Sequence, residues 1–391
     1  MVKRISKILI SIVLLFEVVY ASNVDLVSEK YILYNLTEDK VMMEKDANVK
    51  TDIASLTKIM TIIVSIENIK DYNEKVTITN DMLKDIAWDV SVAGFKKGEV
   101  LTYNDLLYGA MLPSGADACN ALAISTAGSL ENFVKLMNEK VKELGLKNTS
   151  FANVVGLYDE NNYSSANDVA QILMYSLKNK KFKEVFEAKS YVLSNGKELK
   201  STISYYGKDT DVSLITGAKT GYIKVAGRCL ASTSTSNGSD YLLVTLNAFS
   251  SDKAVHIKDA LNVYNYYKDN YSYHEYINEE DIVATLDTKC SLEDEIKLKS
   301  GVSKKYYYDN SFDKNKVKYY YNGENIVSCF TEKGSKLGEV IVKYDGQEID
   351  KFDLLYDGGL TFSLKSFLLE NIIVVIIGVF ILIKIKGIIF E

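Results

Sequence analysis

Between positions 51 and 70 the chain reads TDIASLTKIMTIIVSIENIK, and Leu56, Ile59, Met60, Ile63, Ile66 and Ile69 recur at the spacing of one helix face. The pattern predicts a helix that begins near Ser55. Before it, 31–48 carries two apolar runs around Thr37-Glu38-Asp39, which predicts a hairpin. After it, 74–83 reads as a short strand and a turn. The segment 102–128 reads as two helices broken at Pro113-Ser114-Gly115, because proline cannot continue the preceding hydrogen-bond ladder. The second of these, from about Ala116 to Ala127, is alanine-rich and apolar, as a buried helix would be. Amphipathic patterns predict further helices over 130–145, closed by Gly145, and over 164–179, capped by Ser164 or Ser165.

From 212 onward the period changes. The segments 212–235 and 240–250 read as neighbouring antiparallel strands with SNGS at the turn, and 253–271 as a last helix packed back on that sheet. Strands, helices, strands and a closing helix indicate an α/β (α+β) domain with an antiparallel sheet and a helical part. From His274 to about Gly358 short strand-like runs alternate with glycines and Asp-Asn pairs, which indicates a small all-β domain. The expected boundaries are 22–272 for the first domain and 273–360 for the second. The tyrosine runs of the second suit either a binding face or ordinary exposed strands.

The two ends alter this picture. Lys3, Arg4 and Lys7 precede an apolar run over 8–16, and Val19 and Ala21 stand where a signal peptidase reads, so 1–21 is expected to be a cleaved signal peptide and the mature chain to be exported. No cysteine follows the cut, which argues against a lipoprotein. At the other end 372–383 is apolar apart from Gly378, short for a span of about 20 residues. Extension over 367–388 takes in Lys384 and Lys386, whose ammonium groups can reach the interface, and a C-terminal membrane anchor is expected there. The balance of 25% charged and 47% hydrophobic residues is that of a globular protein, and a net charge of -6 gives no basic surface for nucleic acid. Export permits disulfides among Cys119, Cys229, Cys290 and Cys329, and Cys290 and Cys329 could link two strands of one domain. Their spacing matches no tight metal pattern, and with only His256 and His274 a zinc site has little support.

Three short motifs carry the chemistry: Ser55-Leu56-Thr57-Lys58, then Ser114 in PSGADACN, then Lys219-Thr220-Gly221 in GAKTGYIKVAG. In this order they resemble the active-site set of penicillin-binding proteins and serine β-lactamases. The surrounding wording, IASLTKIMT, DLLYGAMLPSGADA, VVGLYDENNYSSANDVA and AKTGYIKVAGRCLAST, is similar to the low-molecular-mass D-alanyl-D-alanine carboxypeptidases. The resemblance covers nearly the whole exported chain. It implies a serine β-lactamase/transpeptidase-like domain, a small β domain and a C-terminal anchor. It also implies a serine-type D-Ala-D-Ala carboxypeptidase on the outer face of the cytoplasmic membrane of a Gram-positive-like bacterium. The substrate would be the peptidoglycan pentapeptide stem, β-lactams would be covalent inhibitors, and no cofactor is implied.

The residue chemistry agrees with that resemblance. Lys58 lies one helical turn beyond Ser55, about 4.5 Å along the axis and on the same face. A serine hydroxyl needs a base to take its proton, and a buried lysine can lose its own proton near neutral pH and serve as that base. Backbone N–H groups at Ser55 and near Tyr222 would bind the oxyanion. Ser114 would relay a proton to the leaving amine. Lys219 and Thr220 would meet the substrate carboxylate, and Gly221 would let substrate pair along the strand edge.

One position departs from the family. The middle motif usually ends in asparagine and here ends in Ala116, with Asn120 and Asp117 as candidates to fill in. Two alternatives follow. One is a catalytically weak or inactive wall-binding or β-lactam-sensing protein. The other is a serine β-lactamase, which would need a deacylating carboxylate such as Asp159 or Glu160.

Overall fold

The computed structural model describes residues 24–84 and 86–389, and the expected signal peptide over 1–21 lies outside the described residues. The described chain divides into two compact units at Asp269/Asn270.

The first unit is built on a five-stranded antiparallel sheet. Its order runs Lys40–Lys45, Ser28–Asn35, Ser239–Ala248, Gly227–Ser236, Gly217–Ile223. The N-terminal hairpin therefore lies on one side of the late strands, and the Lys219 strand forms the opposite edge. The segment expected to enter the sheet over 212–235 is itself a hairpin, turned at Gly227, whose φ of 64° suits a residue without Cβ. The turn into the next strand falls at Asn237-Gly238, both at positive φ. The helix Val255–Asn270 packs back on the sheet, with Tyr264 Oη 2.9 Å from Ser232 Oγ and Asp259 accepting from Ser28 N (2.8 Å).

The helices Thr57–Asn68, Tyr103–Met111, Ala116–Ala127, Leu130–Glu143 and Ala166–Leu177 form the second layer. Small side chains on Ala116–Ala127 let neighbours approach from every side, and Ala118, Cys119, Ala121, Leu122 and Ala123 are fully buried. Leu130–Glu143 begins at Ser129, whose side chain accepts from Asn132 N, a cap that contributes about 1 kcal/mol. Ala166–Leu177 begins in the same way at Ser165, with Asp168 in its first turn.

The second unit is all-β up to its C-terminal helices. It holds one two-stranded and two three-stranded sheets around Ile277, Leu286, Leu298, Val327, Val340, Val342 and Leu354. Most of its tyrosines are structural. Tyr306, Tyr308, Phe312 and Tyr344 pack ring on ring, and Tyr319 donates to the Tyr276 carbonyl. Cys290 and Cys329 follow adjacent strands paired in parallel, and Cys329 N donates to Lys289 O (3.0 Å), but all four cysteines are free thiols.

The chain then enters Leu364–Glu370, where Glu370 accepts from Cys290 N (3.0 Å), and turns by 85° at Asn371 into Ile372–Ile389. Among the described residues no single helix is long and apolar enough to cross a membrane; the bent pair reaches the needed length and apolar composition only when its two helices are taken together.

Candidate functional site

The position of Ser55 is set by a strained turn. Ala54–Leu56 is a 3-10 turn entered at Ala54 with φ of 47°, a region costly for a residue with a Cβ. It delivers Ser55 half-buried at the N-terminal end of Thr57–Asn68. Lys58, in the first turn, is 1% exposed. Its Nζ lies 2.8 Å from Ser55 Oγ and donates to the Val155 carbonyl at 2.7 Å. One turn on, Thr61 donates to the Val154 carbonyl (2.8 Å). Lys58 and Thr61 thus tie the loop 152–157 to the helix Thr57–Asn68. Asn153 shapes that loop by accepting from the N–H groups of Val155, Gly156 and Leu157. Gly156, at φ of 87°, has no room for a side chain: a Cβ there would sit 1.9 Å from the Ala54 carbonyl oxygen.

Ser114 comes from the break between two helices. It is buried, at φ of 63°, and Gly115 N donates to Gly109 O (3.0 Å) to close the turn. Lys219, on the edge strand, is wholly buried, with Nζ 2.9 Å from Ser114 Oγ and 2.7 Å from the Thr220 carbonyl. Thr220 donates to Thr202 Oγ1 (2.8 Å). A Cβ on Gly221 would meet Ile53 O and Ser55 N at 3.1 Å, so the bare backbone lets the strand close on the serine turn. Tyr222 is largely exposed beside the cleft. All seven sequence-predicted residues, Ser55, Lys58, Ser114, Lys219, Thr220, Gly221 and Tyr222, converge on one region. Five of them line or edge a cleft of about 390 Å³, and the two lysines lie behind the serines.

Burial dominates the electrostatics. It pushes the Lys58 pKa down, opposed by Cys119 and Asp117, and pushes that of Lys219 well down, with added repulsion from Lys58. Lys58 Nζ meets both Ser55 Oγ and the Val155 carbonyl.

The two candidates for the missing asparagine do not fill in. Asp117 is used up holding the loop beside it, accepting from Ala93 N, Gly94 N and Phe95 N at 2.7 to 2.9 Å. The Asn120 side chain forms no hydrogen bond with Ser55, Lys58 or any other described residue, and it lines a second cavity. Asp159 and Glu160 are exposed, and no carboxylate contacts Ser55 or Lys58 among the described residues.

The motif reading missed Arg228. It pairs with Tyr222 across the hairpin, is 8% exposed, and lines the cleft. Its guanidinium lies over the Tyr222 ring (4.7 Å) and the Tyr206 ring (5.6 Å), donates no hydrogen bond to a described residue, and has no ion-pair partner among them. The neighbouring His256 is pushed down to about 3 by burial and by Arg228, so it stays neutral. Nothing in AGRCLAST reveals this, because the strand register that aims Arg228 into the cleft is a property of the hairpin.

The profile of the D-alanyl-D-alanine carboxypeptidase family matches residues 17–250. The chain belongs to that family. It is therefore a serine-type D-Ala-D-Ala carboxypeptidase of the penicillin-binding group. It is 30% identical over 348 residues to the D-alanyl-D-alanine carboxypeptidase DacF of Bacillus subtilis (strain 168), covering 84% of this chain and 86% of that one. The Streptomyces K15 DD-transpeptidase structure superposes with a TM-score of 0.56 at 29% identity, covering 62% of this carboxypeptidase and 97% of that chain. Penicillin binding protein 5 from Haemophilus influenzae shares the fold over 86% of this chain and 98% of its own, with a TM-score of 0.62 at 22% identity.

Proposed function

We propose that Ser55 is the nucleophile of this carboxypeptidase and Lys58 its general base, acting on the peptidoglycan pentapeptide stem. The observation that carries the reading is the 2.8 Å contact between Ser55 Oγ and the buried Lys58 amine. Ser55 attacks the carbonyl of the penultimate D-alanine while its proton passes to Lys58. The N–H groups of Ser55 and Tyr222 receive the oxyanion. Ser114, in contact with Lys219, passes a proton to the leaving nitrogen, and terminal D-alanine departs. Water then hydrolyses the ester at Ser55. The same serine opens the ring of a β-lactam and keeps the acyl group.

Thr220, Lys219 and Arg228 receive the terminal carboxylate. An unpaired buried guanidinium is costly, and a substrate anion offsets that cost only when it reaches this end of the cleft. The reading is tested by incubating the protein with a peptide ending in Lys-D-Ala-D-Ala and measuring free D-alanine. Wild type releases it. Arg228→Leu lowers kcat/KM by about a hundredfold, the scale of losing one charge-assisted contact at about 2–3 kcal/mol. Absence of D-alanine release by wild type would sink the assignment, and an Arg228→Leu enzyme with unaltered kcat/KM would remove Arg228 from it.

We also place the enzyme on the outer membrane face, held by its C-terminus. Ile373, Val374, Phe380 and Leu382 are each more than half exposed, and an apolar surface on every side of a helix suits lipid rather than water. Removal of 364–391 is expected to move the protein from the membrane fraction to the soluble fraction. Retention in the membrane fraction would refute the anchor.

A further inference from the structure

In the second unit two thiols stand at the end of one strand pair. The strands Ile282–Lys289 and Ile326–Ser328 run parallel, and their last partners are Lys289 and Ser328. Cys290 and Cys329 come next on each chain segment, and Cys329 N still donates to the Lys289 carbonyl (3.0 Å). Adjacent strands lie about 4.8 Å apart, inside the Cα separation of about 4.4–6.8 Å that a disulfide spans. Cys290 is buried and Cys329 half-buried. Cys290 has a left-handed backbone with φ of 58°, costly for a residue with a Cβ, and hydrogen bonds hold it there. Its N–H donates to both Glu370 carboxylate oxygens (3.0 and 3.1 Å), and its carbonyl accepts from Ser363 N (2.9 Å). Its S–H donates to Glu370 Oε2 (3.4 Å). Burial, the Glu370 carboxylate and the Cys329 side chain all push the Cys290 thiol up.

We propose that Cys290 and Cys329 are an oxidisable pair, which a disulfide oxidant on the exported side joins in one intramolecular disulfide. The more exposed Cys329 thiol gives its proton to water and attacks the S–S bond of the oxidant. One thiolate of the oxidant leaves, and a mixed disulfide remains on Cys329. The Cys290 sulfur then attacks Cys329 Sγ while its proton passes to Glu370, and the second thiolate leaves. Two electrons pass from the pair to the oxidant, which takes up two protons and ends as two thiols. The remaining cysteines stay out of this exchange. Cys119 and Cys229 are wholly buried in the first unit, and burial pushes their thiols up to about 11 and about 12, far from the reactive thiolate. The new bond closes a loop of about 40 residues. It fixes the residue that holds both Ser363 and Glu370, and so staples the sheet to the helix Leu364–Glu370 at the root of the expected anchor.

The test reduces the full chain, treats it with oxidised glutathione, quenches with acid and alkylates the remaining thiols in denaturant. Intact mass and a peptide map read the result. The chain is expected to lose about 2 Da, with Cys290 and Cys329 linked and only Cys119 and Cys229 alkylated. The oxidised chain is expected to melt about 5 °C or more above the reduced one, a shift absent in Cys329→Ser. Cys290→Ser should keep glutathione on Cys329, because nothing resolves it, and Cys329→Ser should stay unmodified at the buried Cys290. A wild-type chain that keeps four free thiols, retains glutathione on Cys329, or pairs either cysteine with any other overturns the inference. Equal melting temperatures for the oxidised and reduced chains would remove the staple.

Discussion

Ser55→Ala is expected to abolish covalent labelling by benzylpenicillin and to lower D-alanine release by a factor on the order of 10⁴ or more. The hydroxyl is the only atom removed. The 3-10 turn, the Lys58 contact with Val155 and the edge strand beside Gly221 involve backbone or other side chains, so the cleft keeps its shape. What is lost is the oxygen proposed to form the bond, and among the described residues no other hydroxyl contacts Lys58. Ser114 lies against Lys219 instead, in a left-handed backbone conformation set by its own turn. Intact mass after incubation with benzylpenicillin reads the result directly. A penicilloyl adduct on Ser55→Ala, mapped to any residue, would show that another nucleophile does the work.

Lys58→Met is the second large effect, with acylation slowed by about 10² to 10⁴, the usual contribution of a positioned base. Methionine keeps the length and the apolar packing of the lysine stem but offers no proton acceptor to Ser55 and no donor to the Val155 carbonyl. The pH profile separates a base from a merely structural lysine. Burial lowers the Lys58 pKa, so the neutral, active form is reached as pH rises through a value below the ordinary lysine pKa of about 10.4. The wild-type acylation rate should therefore climb with pH and level off below that value. Lys58→Met should lose this limb along with the rate. A variant that slows but keeps the limb would assign the titration elsewhere, with Lys219 the first group to examine because its pKa is lowered as well.

The absence of asparagine at position 116 bears on both experiments. Neither candidate takes over its hydrogen bonds, since Asp117 is committed to the 93–95 backbone and Asn120 faces the second cavity. On the proposed mechanism acylation by penicillin draws on Ser55 and Lys58, which are in contact already. Peptide turnover also needs the substrate amide held in register, so any weakness caused by Ala116 should appear in peptide release before it appears in penicillin binding.

Local rules accounted for much of the architecture. Apolar spacing located the nucleophile helix, Pro113 marked the break that presents Ser114, Ser165 capped its helix, and the Asn237-Gly238 turn joined two strands. These signals are legible because each depends on residues within a turn or two of one another. The Ser55–Lys58 pair belongs with them, since one helical turn brings its two members together.

Other features depended on contacts between segments far apart in the chain. The anchor expected over 367–388 bends at Asn371, where Glu370 is held by the backbone of Cys290, a constraint set by the folded β unit. The tyrosine runs, which suited either a binding face or ordinary exposed strands, are mostly packed ring on ring.

By itself, then, the sequence determined the residue types of the chemistry, their order and the periodicities that build an α+β domain followed by a β-rich one. The tertiary structure alone decided that Val155 would face Lys58, that Ser114 would meet Lys219 across more than a hundred residues, and that Arg228 would stand unpaired in the cleft. The physical reason is the range of the forces involved. Propensity, capping and turn chemistry act between near neighbours and are written locally. Burial, which neutralises a lysine or strands a guanidinium, is created only when the whole chain has closed around the site.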